Sequence, residues 1–226
     1  MRRFALGVLL LFCGILVLPL CAAASWAVLS LVLSVRPASY QEVPWSAWAL
    51  VLGFVSWLGI FFVLPRPFRT YVLAHELTHA LWAYLTGVKV GRVKVSKSGG
   101  SVQLSENNII ITLAPYFFPL YTVILILLYY SLSIFYDMSG YELLWLTLVG
   151  FTWGFHLTFT IAALLQHQSD IREYGRLLSY SLIYLLNVLG VGCWIVIVSS
   201  ATIEQFASFL VASMAGLLSF ARHCMS

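Results

Sequence analysis

The residues best suited to chemistry lie together at His75-Glu76-Leu77-Thr78-His79. On a helix, positions four apart sit on one face, one turn from each other, so His75 and His79 present two imidazoles to a single point. Two neutral imidazoles so placed suit one Zn²⁺. Glu76 is next in sequence but turned aside from that pair, where a carboxylate can serve as general base towards a metal-activated water. Catalytic zinc usually takes three protein ligands and keeps one position for water, so a third ligand must come from elsewhere. The polar patch Gln166-His167-Gln168-Ser169-Asp170 is the best source. Asp170 is the carboxylate of choice and His167 the alternative. His156, about three turns earlier on a continuous helix, reads as a packing or hydrogen-bonding residue.

These groups stand in a chain built for lipid. Of 226 residues, 62% are hydrophobic and 9% charged, against about 45–50% and about 25% in soluble domains. A soluble fold of this size cannot hide so much apolar surface. The expected class is an all-α integral membrane protein, a polytopic bundle of about six or seven transmembrane helices. The net charge of +4 comes with no dense basic run, which fits loop asymmetry in a membrane protein and not nucleic-acid binding. Cys13, Cys21, Cys193 and Cys224 form no CxxC pair and read as small buried residues.

About 20 apolar residues span a bilayer, and the candidate spans are roughly 4–34, 46–64, 69–87, 108–133, 142–165, 177–198 and 203–221. The first exceeds a signal-peptide core in length and reads as an uncleaved helix, kinked at Pro19. Between Gly87 and Asn107 the pattern changes: Val88, Val90, Val93, Val95, Val102 and Leu104 alternate with polar residues around Ser98-Gly99-Gly100-Ser101. That is a small β-hairpin, with Gly91 marking a bulge. If the hairpin faces the cytoplasm and the spans alternate, Arg36, Lys89, Arg92, Lys94, Lys97, Arg172, Arg176 and Arg222 lie inside. Arg2, Arg3, Arg66 and Arg69 then lie outside, in keeping with the positive-inside tendency.

With those residues in place, the chain resembles the site-2 protease family of intramembrane zinc metalloproteases. Four features carry the resemblance: His75-Glu76-Leu77-Thr78-His79-Ala80-Leu81 ending at Thr86-Gly87; the Gly99-Gly100 hairpin; Leu113-Ala114-Pro115 early in the next helix; and Asp170 in Gln168-Ser169-Asp170-Ile171. They cover roughly residues 69–190. The resemblance implies His75, His79 and Asp170 as ligands of one Zn²⁺ and Glu76 as catalytic base. It implies substrate binding at Gly99, Gly100 and Pro115, with the hairpin offering an edge strand to an unwound segment. The division of the chain would be N-terminal helices over 1–68, a metalloprotease core over 69–190 and a C-terminal helix and tail over 191–226, a minimal form without appended soluble domains. The implied activity is hydrolysis of a membrane-protein substrate, with the site open to the cytoplasmic side of, most simply, the cell membrane. Association with further copies of the chain is left open.

The competing expectation is a transporter, a scaffold or a degenerate zinc-binding relative that does not cleave. A different membrane metalloprotease, which pairs HExxH with a downstream E-x-x-x-D/N helix, is disfavoured because no Glu here has Asp or Asn four residues on.

Overall fold

In lipid every backbone N–H and C=O must find a partner within the protein, so apolar runs of this length fold as helices. The computed structural model, which describes residues 2–35, 43–96, 99–166 and 168–225, shows α1 (Arg2–Ser34), α2 (Trp45–Val63), α3 (Phe68–Leu85), β1 (Val90–Val95), β2 (Gly100–Leu104), α4 (Ile109–Phe117), α5 (Leu120–Ser133), α6 (Glu142–Leu164), α7 (Ser169–Glu173), α8 (Arg176–Val198) and α9 (Ile203–Met225). Arg36, Lys97, Ser98 and His167, used in the reading above, lie outside the described residues. The protein is the expected all-α, multi-pass membrane protein, with one two-stranded antiparallel sheet among the described residues. Among the described residues five helices are long and apolar enough to cross a membrane, namely α1, α2, α6, α8 and α9; a sixth span arises if α4 and α5 count as one.

The helices gather into two compact units, the first being residues up to 44 with 171–226 and the second 45–170. In the first, α1 runs unbroken through Pro19 and lies along α8 in the same direction. Their contacts ascend together: a Cβ on Gly14 would meet Leu177 and Leu178 at 2.9 Å, Cys21 donates to the Ser181 carbonyl, and Ser25 meets Tyr184. Phe206 of α9 packs against Ala27 and Leu31 of α1.

The second unit holds the site. Here too the contacts ascend, from Leu50 beside Gly150, through Phe54 beside Gly154, to Trp57 on Phe155 and Phe61 on Phe159. So α2 and α6 run in the same direction, where seven alternating spans would have opposed them. Small residues allow the approach: a Cβ on Gly53 would strike the Thr147 carbonyl, and one on Gly150 the Leu50 carbonyl. Trp57 buries its ring among Phe61, Phe155 and Phe159, and its indole N–H, which needs a partner when buried, donates to Thr158 Oγ1 at 2.8 Å.

The run expected as one span over 108–133 is two helices bent by 76°. Pro119 explains the break. It carries no N–H and disfavours helical geometry in the residue before it, and Phe118 is extended, at φ −101° and ψ 105°. From there α5 returns antiparallel to α6, with Thr122 against Thr152 and Tyr129 stacked on Trp145.

α3 is not among the apolar spanning helices, since it carries Arg69, His75, Glu76, Thr78 and His79. Past its end, Gly87 at φ 78° turns the chain back and Val88 donates to the Ala83 carbonyl at 2.8 Å. The strands pair as Val93↔Val102, Lys94↔Ser101 and Val95↔Gly100, with an irregularity between Val90 and Val93 where the Gly91 bulge is expected. The hairpin does not project beyond α3. A Cβ on Gly100 would meet Val72 Cγ1 at 2.7 Å and Glu76 Cγ at 2.5 Å, so the hairpin lies back along α3 towards its N-terminal half.

Candidate metal centre

α3 places His75 and His79 one turn apart, their rings edge to face with centroids 4.8 Å apart. Their Nε2 atoms are 3.2 Å from each other. The start of α7 brings Asp170 Oδ2 to 3.5 Å from His75 Nε2 and 3.7 Å from His79 Nε2. Three ligand atoms therefore face one point. For zinc bonds of about 2.0–2.1 Å, the edge of a tetrahedron is about 3.3–3.4 Å. The spacing and the two-nitrogen, one-oxygen donor set both fit that ion.

Each of the three side chains is held from behind, as a metal ligand would need to be. His79 Nδ1 donates to the Ile111 carbonyl at 2.8 Å; a carbonyl only accepts, so the proton sits on Nδ1 and the Nε2 lone pair faces the other ligands. His75 Nδ1 lies 3.4 Å from the Tyr71 hydroxyl, and Tyr71 is itself stacked on Phe159 at 4.7 Å. Tyr116 donates to Asp170 Oδ2 at 2.9 Å and Ser169 to Oδ1 at 3.2 Å. Burial alone would raise the Asp170 carboxyl, but the two imidazoles against it hold it well below the usual carboxylate range.

The point of convergence opens on a chamber of about 530 Å³, whose walls include Arg66, Val72, Glu76, Gly99, Gly100, Asn107, Thr112 and Gln166. Glu76 is buried, only 7% exposed, and its carboxylate lies under the backbone of Gly100, where an added Cβ would stand 2.8 Å from Oε1. The chamber thus has a metal-ligand corner, a carboxylate beside it and a strand edge above it.

No family model, curated protein or solved structure matches the chain. What can be said of the centre comes from its own geometry.

That geometry brings together His75, Glu76, His79, Asp170, Gly99 and Gly100. It leaves Pro115 apart: this residue is buried in α4 and lines a smaller cavity behind His75, with Ala74, Thr78 and His156. His156 accordingly lies behind the site and not in the chamber. Arg66 is a correction. The alternating topology set it on the face opposite Asp170, yet both line the same chamber. Tyr71, Ile111 and Tyr116 escaped the sequence reading. Tyr71 alone left a signal, one turn before His75 on the same helical face.

Proposed function

We propose that the chain is a zinc-dependent intramembrane endopeptidase of the site-2 protease type, which cleaves an extended segment of a membrane protein. One observation carries the reading: three ligand atoms at tetrahedral spacing share an open chamber with Glu76. His75, His79 and Asp170 would hold the ion. Bound there, zinc would polarise a carbonyl and bring the pKa of a coordinated water down to about 7. Glu76 takes a proton from the attacking water and passes it to the amide nitrogen as the C–N bond breaks. Burial of Glu76 beneath the hairpin keeps that carboxylate out of bulk solvent.

Substrate would pair with β2, since Gly100, Ser101, Val102 and Leu104 all line the chamber. Main-chain hydrogen bonds then supply affinity for any segment that can extend. A transmembrane helix would have to unwind first, because its own i→i−4 bonds occupy the same groups. Arg66 lines the chamber, while the 134–141 turn at the opposite end of α6 has no basic residue. By the positive-inside tendency the mouth would face the cytoplasmic side, in the simplest case of the cell membrane.

The test is metal content by mass spectrometry on chelator-free, detergent-purified protein, followed by a cleavage assay. Wild type should carry about one zinc per chain, and a His75→Ala/His79→Ala variant none. Glu76→Gln should retain zinc and lose cleavage, since the ligands remain and the base does not. Wild type without zinc, or an active Glu76→Gln enzyme, would overturn the proposal.

A further inference from the structure

α4 is an unbroken helix over Ile109–Phe117 although Pro115 lies inside it. An interior proline has no N–H, so the carbonyl four residues earlier loses its helical donor. Here that carbonyl belongs to Ile111, which is fully buried, in surroundings where an unsatisfied carbonyl is costly. It is the same carbonyl that accepts from His79 Nδ1 at 2.8 Å. The neighbouring carbonyls are used inside the helix and at its end, Asn108 by the N–H of Thr112 at 2.9 Å and Ala114 by that of Phe118 at 2.8 Å.

Two other roles for Pro115 fall away. It does not make the bend, which comes at Phe118 and Pro119 after α4 has continued to Phe117. Nor does it line the chamber where substrate would lie.

We infer that Pro115 is a positioning residue, which withholds the helix donor from the Ile111 carbonyl and so reserves that carbonyl for His79. The reserved bond fixes one ring orientation and one tautomer, with the proton on Nδ1 and the Nε2 lone pair towards His75 and Asp170. The purpose of the device rests on the zinc reading given above; its geometry does not.

The test compares two replacements of one residue. Pro115→Ala supplies an N–H that competes for Ile111. Lactic acid at 115, the α-hydroxy analogue of alanine introduced by nonsense suppression, has the same side chain and an ester oxygen in place of the N–H. Outer-shell partners of metal-bound histidine are worth about 10–100-fold in affinity. A carbonyl has two lone pairs, so the competition is partial. Pro115→Ala should therefore bind zinc about tenfold more weakly, and the lactic acid protein should bind as wild type does. A second readout needs no metal: ¹⁵N-histidine NMR of zinc-free protein should show His79 protonated on Nδ1 in wild type and in the ester, and a tautomer mixture in Pro115→Ala. Unchanged affinity and tautomer in Pro115→Ala, or equal losses in both variants, would overturn the inference and leave the zinc reading standing. Wild type without zinc would instead remove that reading, while the tautomer comparison would still decide what Pro115 does.

Discussion

Three side chains converge on one point, and how firmly they could hold an ion should depend on what stands behind them. Tyr116 donates to Asp170 Oδ2, so Tyr116→Phe removes a support and leaves the candidate ligand in place. We expect zinc affinity to fall about tenfold, measured by competition with a chromogenic chelator. Asp170→Asn removes the anionic ligand itself and should cost more than Tyr116→Phe; the reverse order would point to a third ligand other than Asp170. His75, Glu76 and His79 were legible in the sequence because helical pitch alone puts the two rings together. Asp170 was legible only as the best of several polar groups after the 142–165 run. Tyr116 and the Ile111 carbonyl were not legible, since α4 meets α3 through tertiary packing that no local spacing encodes.

At the scale of elements, the hairpin and its bulge could be read from Gly99-Gly100 and Gly91, but where the hairpin lies could not. The spacing of its residues gives a hairpin but not what that hairpin lies against, whereas Gly100 rests on Glu76 and Val72. A methyl group there must displace the carboxylate or the strand. Gly100→Ala should therefore keep its zinc and lose at least tenfold in kcat, an effect of the size attached to displaced catalytic groups, as read from cleavage and metal content on the same sample. The break between α4 and α5 hid inside an apolar run. Hydropathy sees one span there, and only Pro115 and Pro119 hinted at the interruption. The tight seam between α2 and α6 makes a separate prediction. Gly150→Ala drives a methyl into the Leu50 carbonyl and should destabilise the folded protein by about 1–3 kcal/mol, as overpacking does, seen as a lower midpoint in detergent unfolding.

For the molecule as a whole, composition was enough to give the class, and the orientation of individual helices was not. Counting basic residues assumed that each apolar run crosses once and that neighbours alternate. The shared direction of α2 and α6 breaks that rule, because the polar α3, the hairpin and the bent α4–α5 pair lie between them. The consequence can be measured. In a chain freed of its native cysteines, a single cysteine at Arg66 should react with an impermeant maleimide from the same side as one at Gln168, and one at Gly140 from the other side. Labelling of the Arg66 and Gln168 positions from opposite sides would restore the alternating arrangement.

The polarity of α3 bears on how the protein is made. A helix with two histidines and a glutamate at its middle is a poor substrate for the insertion machinery on its own. Its aromatic neighbour Phe159, stacked on Tyr71, is translated 88 residues later, about 4–18 s at ordinary elongation rates of about 5–20 residues per second. During that interval α3 has no α6 to receive it. Nascent chains truncated before α6 should leave a single cysteine placed in α3 open to an impermeant maleimide, and chains extended through α6 should protect it. Convergence of His75 and His79 with Asp170 would then be a late event of biogenesis, so the segment bearing Glu76 would stay incomplete until most of the protein is in the bilayer.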